Sequence, residues 1–109
     1  MQPATVGAVS LTLCVLLWAR PGAESGLIAY EDRVLSFLPE HGGRVLERVR
    51  GNGAVGQPLE IQLLQFPAAP ALEAFMADSR RQVLARDRDK VIAKTEIIEV
   101  QLVEPAPAP

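Results

Sequence analysis

The sequence has very few of the residues from which most catalytic and metal sites are built. Among its 109 residues there is one cysteine, Cys14, and one histidine, His41. A single cysteine excludes a disulfide within the chain and fits a reducing compartment, where thiols stay unpaired. A single histidine excludes a histidine-rich metal site. We therefore expect neither a metal ion nor another cofactor.

The chain also lacks a surplus of either charge. Eleven lysine and arginine residues stand against thirteen aspartate and glutamate residues, which leaves a formal net charge of −2. Proteins that bind phosphate backbones carry a basic surplus, so nucleic acid is not an expected partner. The arginines of residues 80–88 are interleaved with aspartates, which indicates a solvated helical face rather than a phosphate site. No phosphate-binding loop or nucleophile elbow is present.

A long hydrophobic segment is absent as well. The apolar run from Val6 to Ala19 is shorter than the roughly 20 residues that cross a bilayer, so no membrane association is expected. It has no preceding lysine or arginine and no small-x-small cleavage site, both of which a secretory signal would show. Both alternating faces of the run are apolar, as in a central strand. We interpret it as a buried strand and expect a cytoplasmic protein.

Strand and helix patterns alternate along the rest of the chain. Strands are predicted over residues 8–19, 44–50, 58–66 and 95–103, and helices over 23–38, 69–77 and 80–93, with a break at Asp78-Ser79. The order is β-α-β-β-α-β, and two right-handed crossovers with a hairpin give a ferredoxin-like α+β fold with strands one and three in the centre. Residues 1–104 form this domain, and residues 105–109 are a disordered proline- and alanine-rich tail.

The predicted sheet has one face that its own helices do not cover. Two helices pack on one side, while all four strands also carry apolar residues on the other. An exposed apolar face of this size indicates an interface. The simplest partner is a second copy of the chain, packed sheet against sheet about a twofold axis.

Four short motifs give the chain a resemblance to a known superfamily. They are His41-Gly42-Gly43-Arg44 before strand two, Leu59-Glu60 at the start of strand three, Phe66-Pro67 at its end and Ala74-Phe75 in the second helix. With these motifs the chain resembles the dimeric α+β barrel superfamily, and within it the DUF1330 group of small domains of unknown function. The superfamily includes cofactor-independent monooxygenases and polyketide cyclases, and its pockets usually lie between sheet and helices.

Three residues are candidates for catalytic roles. His41 can move a proton, because the unperturbed pKa of a histidine side chain lies near physiological pH, or it is a polar loop residue. Arg44 can orient an oxyanion, or it is a solvated or intersubunit charge at a sheet edge. Tyr30 can donate a hydrogen bond. A Cys14–His41 nucleophile pair is disfavoured, since a cysteine in a buried strand is usually inert.

Five further residues are candidates to line a ligand pocket. The aromatic side chains of Trp18, Phe66 and Phe75 can form its walls, or they belong to the ordinary core. Glu60 and Gln62 share one face of strand three, where they either line the pocket or satisfy each other at the dimer interface. The sequence thus leaves two functions open. One is cofactor-independent oxygenation or cyclisation of an aromatic or polyketide-like molecule, and the other is a non-catalytic binding or assembly module.

Overall fold

A computed structural model describes residues 10–105 of the chain. The strands are β1 (Leu11–Ala19), β2 (Arg44–Arg50), β3 (Glu60–Phe66) and β4 (Ile92–Val100), and the helices are α1 (Glu24–Leu35), α2 (Ala69–Met76), α3 (Ser79–Val83) and α4 (Ala85–Val91). A short 3-10 helix, Leu38–His41, joins α1 to β2. Residues 8 and 9 of the predicted first strand and residues 106–109 of the predicted tail lie outside the described part.

The four strands form one antiparallel sheet in the order β2-β3-β1-β4. The two strands with the most apolar sequences, β1 and β3, are central, and the charged strands β2 and β4 form the edges. This is the ferredoxin-like arrangement, with the helices on one face. The α+β fold class predicted from the sequence is confirmed.

The core lies between the helices and one face of the sheet. Alternate residues of a strand point to the same side, so Leu13, Val15 and Leu17 of β1 all face the helices and are buried. Helix α1 covers them with Leu27 and Val34, which recur at helical spacing. We call this the helix-covered face of the sheet.

A bulge in β2 changes which of its residues face the core. The register with β3 shifts between Val45 and Glu47, which leaves Leu46 without a cross-strand partner. Val45 therefore lies opposite Leu64 on the helix-covered face, whereas Val49 lies opposite Ile61 on the other face. Val45 and Val49 would share a face in a regular strand, but the extra residue reverses the alternation and places them on opposite faces.

The second helical region consists of three short helices. The predicted break lies at Asp78, whose side chain accepts a hydrogen bond from the backbone N–H of Arg80 and so caps α3. A second break, which was not predicted, lies at the buried Leu84. The last strand also begins earlier than residue 95, since the buried Ile92 already pairs with Ala19 of β1.

Two glycines turn the chain from the 3-10 helix into β2. Gly42 has a φ of 78°, a conformation that side chains disfavour. Gly43 passes so close to its neighbours that a Cβ atom would lie 2.8 Å from Leu38 Cγ and 3.0 Å from Phe66 Cε1. This Gly-Gly turn thus packs the short helix directly against the end of β3.

The second face of the sheet has no helix over it within residues 10–105. Leu16, Ile61 and Leu63 lie there half-buried, while Val49 and Ile98 each remain 50% exposed. The β2–β3 loop reaches only its rim. We call this surface the open face.

Candidate functional site

A cavity of about 330 Å³ lies between the helices and the helix-covered face. Its walls are mostly aliphatic and aromatic and include Leu13, Val15, Val34, Leu64, Phe66 and Phe75. Cavities of this size, with apolar walls and a few polar groups, are typical of small-molecule sites.

The cavity opens toward the edge strand β4. Four of its lining residues are solvent-exposed, namely Met76 at the end of α2, Gln82 in α3, Ala85 in α4 and Ile97 in β4. The mouth is therefore formed by the short helices on one side and by β4 on the other.

Gln62 is the polar residue at the centre of the site. It lies in β3 and is 1% exposed, and its side-chain amide donates to Glu31 Oε1 at 2.8 Å and to Glu60 Oε2 at 2.7 Å. Gln62 and Glu31 line the cavity, while Glu60 lies behind them. One amide group thus connects two buried carboxyl groups.

Glu60 is fully buried but has two cationic partners. Its oxygens accept from Arg48 Nε at 2.8 Å and from Arg50 Nε at 3.1 Å. Burial by itself would raise the pKa of Glu60, but the hydrogen bonds from Arg48, Gln62 and Arg50 outweigh it and hold that pKa below its usual range. Glu60 is therefore a charged, fully paired group, and the pairing lies within one chain rather than at a dimer interface.

Glu31 has the opposite electrostatic character. It is 6% exposed and receives its hydrogen bond from a neutral amide, and no residue between 10 and 105 forms a salt bridge with it. Burial raises the pKa of the Glu31 carboxyl, and the nearby charge of Glu60 raises it further. A carboxyl of this kind can hold or release a proton at the cavity wall.

Glu31 was not among the site residues predicted from the sequence. Its spacing nevertheless contains the signal, because Leu27, Glu31 and Val34 follow one another at four and three residues and share a helical face. All three are buried against the sheet.

Tyr30 lines the cavity beside Glu31, as its predicted role requires. Burial raises the pKa of its phenol, which the positive charge of Arg81 partly offsets. Tyr30 therefore stays protonated near neutral pH and can donate a hydrogen bond to a bound molecule.

His41 and Arg44 do not join Tyr30. His41 Nε2 lies 2.8 Å from Asp78 Oδ2, and its ring centroid lies 5.9 Å from that of Phe75 in a T-shaped arrangement. His41 is not part of the cavity lining. Arg44 lies on the open face, where Nε and Nη2 donate to Gln65 Oε1. The three catalytic candidates therefore do not converge on one point.

The Asp78 carboxylate holds the region around His41 together. Arg80 donates to it with both side chain and backbone, and His41 contacts its second oxygen. Hydrogen bonds from Arg80, and then from His41, keep the pKa of Asp78 well below its usual range. Arg80 also bridges to Glu40, so this cluster ties the 3-10 helix to the start of α3.

Of the five predicted pocket residues, Gln62, Phe66 and Phe75 line the cavity. Glu60 does not line the cavity, because it lies behind Gln62, whose side-chain amide donates to it. Trp18 lies on the open face, because it alternates with the core residues of β1, and its indole donates to the Gly56 carbonyl.

Two arginines at the mouth were not predicted. Arg81 and Arg88 both line the cavity, although the sequence pattern placed them on a solvated helical face. Arg81 precedes the buried Leu84 by three residues, and Arg88 follows it by four. This helical spacing is the signal that could have indicated that both arginines face the sheet.

Within residues 10–105, no group of three or more histidine, cysteine, aspartate or glutamate side chains is arranged to hold a metal ion. Over the same span, no helix has both the length and the apolar character needed to cross a bilayer.

Comparison with known proteins establishes the fold. No protein-family model matches the chain, and no curated protein matches it. A solved protein of unknown function from Rhodopseudomonas palustris is similar, with a TM-score of 0.72 and 14% identity, covering 89% of this chain and 85% of that one.

Two other solved structures are also similar to this chain. SnoaB, a cofactor-independent oxygenase from Streptomyces nogalater, has a TM-score of 0.68 and 11% identity, covering 92% of this chain and 99% of its own. A dimeric ferredoxin-like protein of unknown function from Bacteroides fragilis has a TM-score of 0.62 and 10% identity, covering 85% and 96%. At such identities the likeness shows the fold alone.

Proposed function

We propose that this protein is a homodimeric, cytoplasmic α+β barrel protein that binds a small aromatic or polyketide-like molecule and acts on it as a cofactor-independent monooxygenase or cyclase. The observation that carries the proposal is the apolar cavity with the buried carboxyl of Glu31, hydrogen-bonded to Gln62, in its wall. The similarity to SnoaB and the resemblance to the dimeric α+β barrel superfamily, including its DUF1330 group, support the same assignment.

The residues of the cavity suit this chemistry. Oxygenation or cyclisation of a phenolic or polyketide-like molecule begins with loss of a proton from the substrate, which needs a base within reach. Glu31 is the carboxyl group in the lining, and Tyr30 is an adjacent hydrogen-bond donor for a developing oxyanion. His41 and Arg44 have no part in this proposal, since both lie outside the cavity.

The homodimer is proposed from the open face. Apolar residues of all four strands lie there, half-buried in β1 and β3 and exposed in β2 and β4, and burying them requires a surface of similar shape and character. A second copy of the same face provides one through a twofold axis. The dimeric ferredoxin-like neighbour supports this arrangement. The cavity lies on the other side of the sheet, so dimer formation leaves its mouth accessible.

Binding is tested by calorimetric titration with 1-naphthol, using a variant that blocks the mouth. Ala85 is exposed and lines the cavity, so Ala85→Trp should abolish binding while the protein stays folded. The matched control is Ala74→Trp, an exposed helical alanine outside the lining. We expect wild type and the control to bind with equal affinity. If the Ala85→Trp variant bound 1-naphthol as tightly as wild type, the cavity would not be the binding site.

Catalysis is tested by oxygen consumption and product analysis with a panel of polyhydroxylated aromatics. We expect turnover that Glu31→Gln reduces by about a hundredfold or more, the usual contribution of a general base. A non-catalytic binding module is the second candidate, and it is favoured by the separation of Tyr30, His41 and Arg44. Tight binding of the panel with neither oxygen uptake nor product would support that module.

A further inference from the structure

Two guanidinium groups stand at the mouth of an otherwise apolar cavity. Arg81 of α3 and Arg88 of α4 both line it, on either side of the buried Leu84. Arginine is uncommon in the wall of an apolar cavity unless it has a partner, because removing a charge from water is costly.

Arg81 has an unused hydrogen-bond donor. Its Nη1 donates to the Met76 carbonyl at 3.1 Å, and its guanidinium carbon lies 5.0 Å from the centre of the Phe75 ring. Its Nε is buried and has no hydrogen-bond partner among residues 10–105. Nearly all buried donors in proteins are satisfied, so the Arg81 guanidinium has hydrogen-bonding capacity that the described residues leave unused.

Arg88 is anchored but not neutralised. Its Nη2 donates to Thr95 Oγ1 at 3.0 Å, which holds the side chain across the mouth toward β4. The nearest carboxylate is that of Asp89, 3.9 Å from Nη1 and 75% exposed. Such a contact is solvated and weak, so Arg88 keeps most of its electrostatic attraction for an anion.

The rest of the lining offers little opposing charge. Glu31 is the one acidic residue in it, and its carboxyl accepts a hydrogen bond from Gln62. Burial raises the pKa of Glu31, which favours the neutral form. The lining therefore combines apolar walls with an excess of positive charge.

We propose that the ligand of this cavity is an apolar organic acid, in which a hydrocarbon or aromatic body carries a single carboxylate. The body contacts the apolar walls, and the carboxylate accepts hydrogen bonds from the guanidinium groups of Arg81 and Arg88. This inference rests on the proposed function and deepens it by naming the ligand class.

A carboxylate fits better than a phosphate ester. The planar guanidinium matches the two oxygens of a carboxylate, and its weak hydration suits a partly buried site. A phosphate dianion needs more donors, usually backbone N–H groups at a helix start or glycine-rich turn. The mouth provides side-chain donors beside apolar walls instead.

The test compares three probes of one shape, 1-naphthoate, 1-naphthol and 1-naphthylmethylammonium, by calorimetric titration at pH 7. We expect wild type to bind 1-naphthoate about 10–100-fold more tightly than 1-naphthol, the range for charge-assisted hydrogen bonds, and to bind the cation most weakly. Arg81→Gln should lose most of that preference. Arg81→Lys keeps the charge but lacks the Nε donor and should be intermediate. The control is Arg86→Gln, an exposed arginine outside the lining.

A second measurement uses wild type alone and so does not depend on how the variants fold. In 15N NMR spectra of the side chains, the Arg81 Nε–Hε signal should shift downfield on addition of 1-naphthoate and not on addition of 1-naphthol. Equal affinities for 1-naphthoate and 1-naphthol would overturn the acid class while leaving the cavity function intact. Binding of neither probe would overturn both. A preference for 1-naphthoate that survives in both Arg81→Gln and Arg88→Gln would also contradict this inference.

Discussion

The two buried glutamates differ in their pKa because they differ in their hydrogen-bond partners. Glu31 and Glu60 share the amide of Gln62, and both are less than a tenth exposed. Glu60 also receives hydrogen bonds from Arg48 and Arg50, and its pKa falls. Glu31 has no such partner, and burial raises its pKa. The pair therefore separates a structural charge from a proton-active group.

Loss of Arg48 should be costly because it leaves a buried charge with too few partners. We expect Arg48→Ala to lower the free energy of unfolding by about 2–4 kcal/mol, measured by urea denaturation at pH 7. Arg50 contacts the same carboxylate but its side chain is 45% exposed, so Arg50→Ala should cost less. Similar small losses in both variants would show that Glu60 is not held as a buried ion.

Glu31→Gln should stabilise the fold at neutral and higher pH. The folded-state pKa of Glu31 is raised, so its contribution to stability is fully present below the unfolded pKa and declines as pH rises through the folded value. A glutamine at this position still accepts from Gln62 and never ionises. Thermal unfolding of both proteins should give equal melting temperatures near pH 4 and a higher one for the variant from pH 5 to 8. A lower melting temperature for the variant throughout this range would contradict the assignment.

At the scale of whole elements, the sheet was predictable because its patterns are local. Period-two alternation identified β1 and β3, and their apolar character placed them in the centre. The bulge at Leu46 was not predictable, since no glycine or other local signal marks it. Much of the cavity wall followed from the sequence, whereas Glu31, Arg81 and Arg88 depend on how each helix is rotated against the sheet.

The passage from the 3-10 helix to β2 should tolerate no added side chain. The Cβ atom of Gly43→Ala would meet Leu38 and Phe66, which are 1% and 0% exposed and have little room to move. We expect a loss of about 1–3 kcal/mol of unfolding free energy by urea denaturation. Gly56→Ala is the control, because the space around Gly56 is open and only its positive φ opposes the change. A Gly43→Ala variant as stable as wild type would show that this junction is loosely packed.

At the scale of the molecule, the two faces of the sheet have different proposed roles. The helix-covered face contains the cavity, and the open face carries the apolar residues proposed to meet a second copy. Neighbouring residues of β4 allow the two surfaces to be tested separately. Ile97 and Ile98 are each 50% exposed but lie on opposite faces.

Ile98→Glu should convert the dimer to a monomer, because it places a charge in the apolar interface. Ile97→Glu adds the same charge at the cavity mouth and should leave the dimer intact. Sedimentation velocity at micromolar concentration distinguishes these outcomes. A wild-type protein that sediments only as a monomer would contradict the proposed dimer.

The proposed function requires that the cavity between sheet and helices is the binding site. Methyl-labelled NMR spectra recorded during a titration with 1-naphthol locate binding directly. We predict shifts at Leu13, Val15 and Leu64, which line the cavity. Shifts confined to Leu16 and Leu63 on the open face, with the cavity methyl groups unchanged, would contradict it.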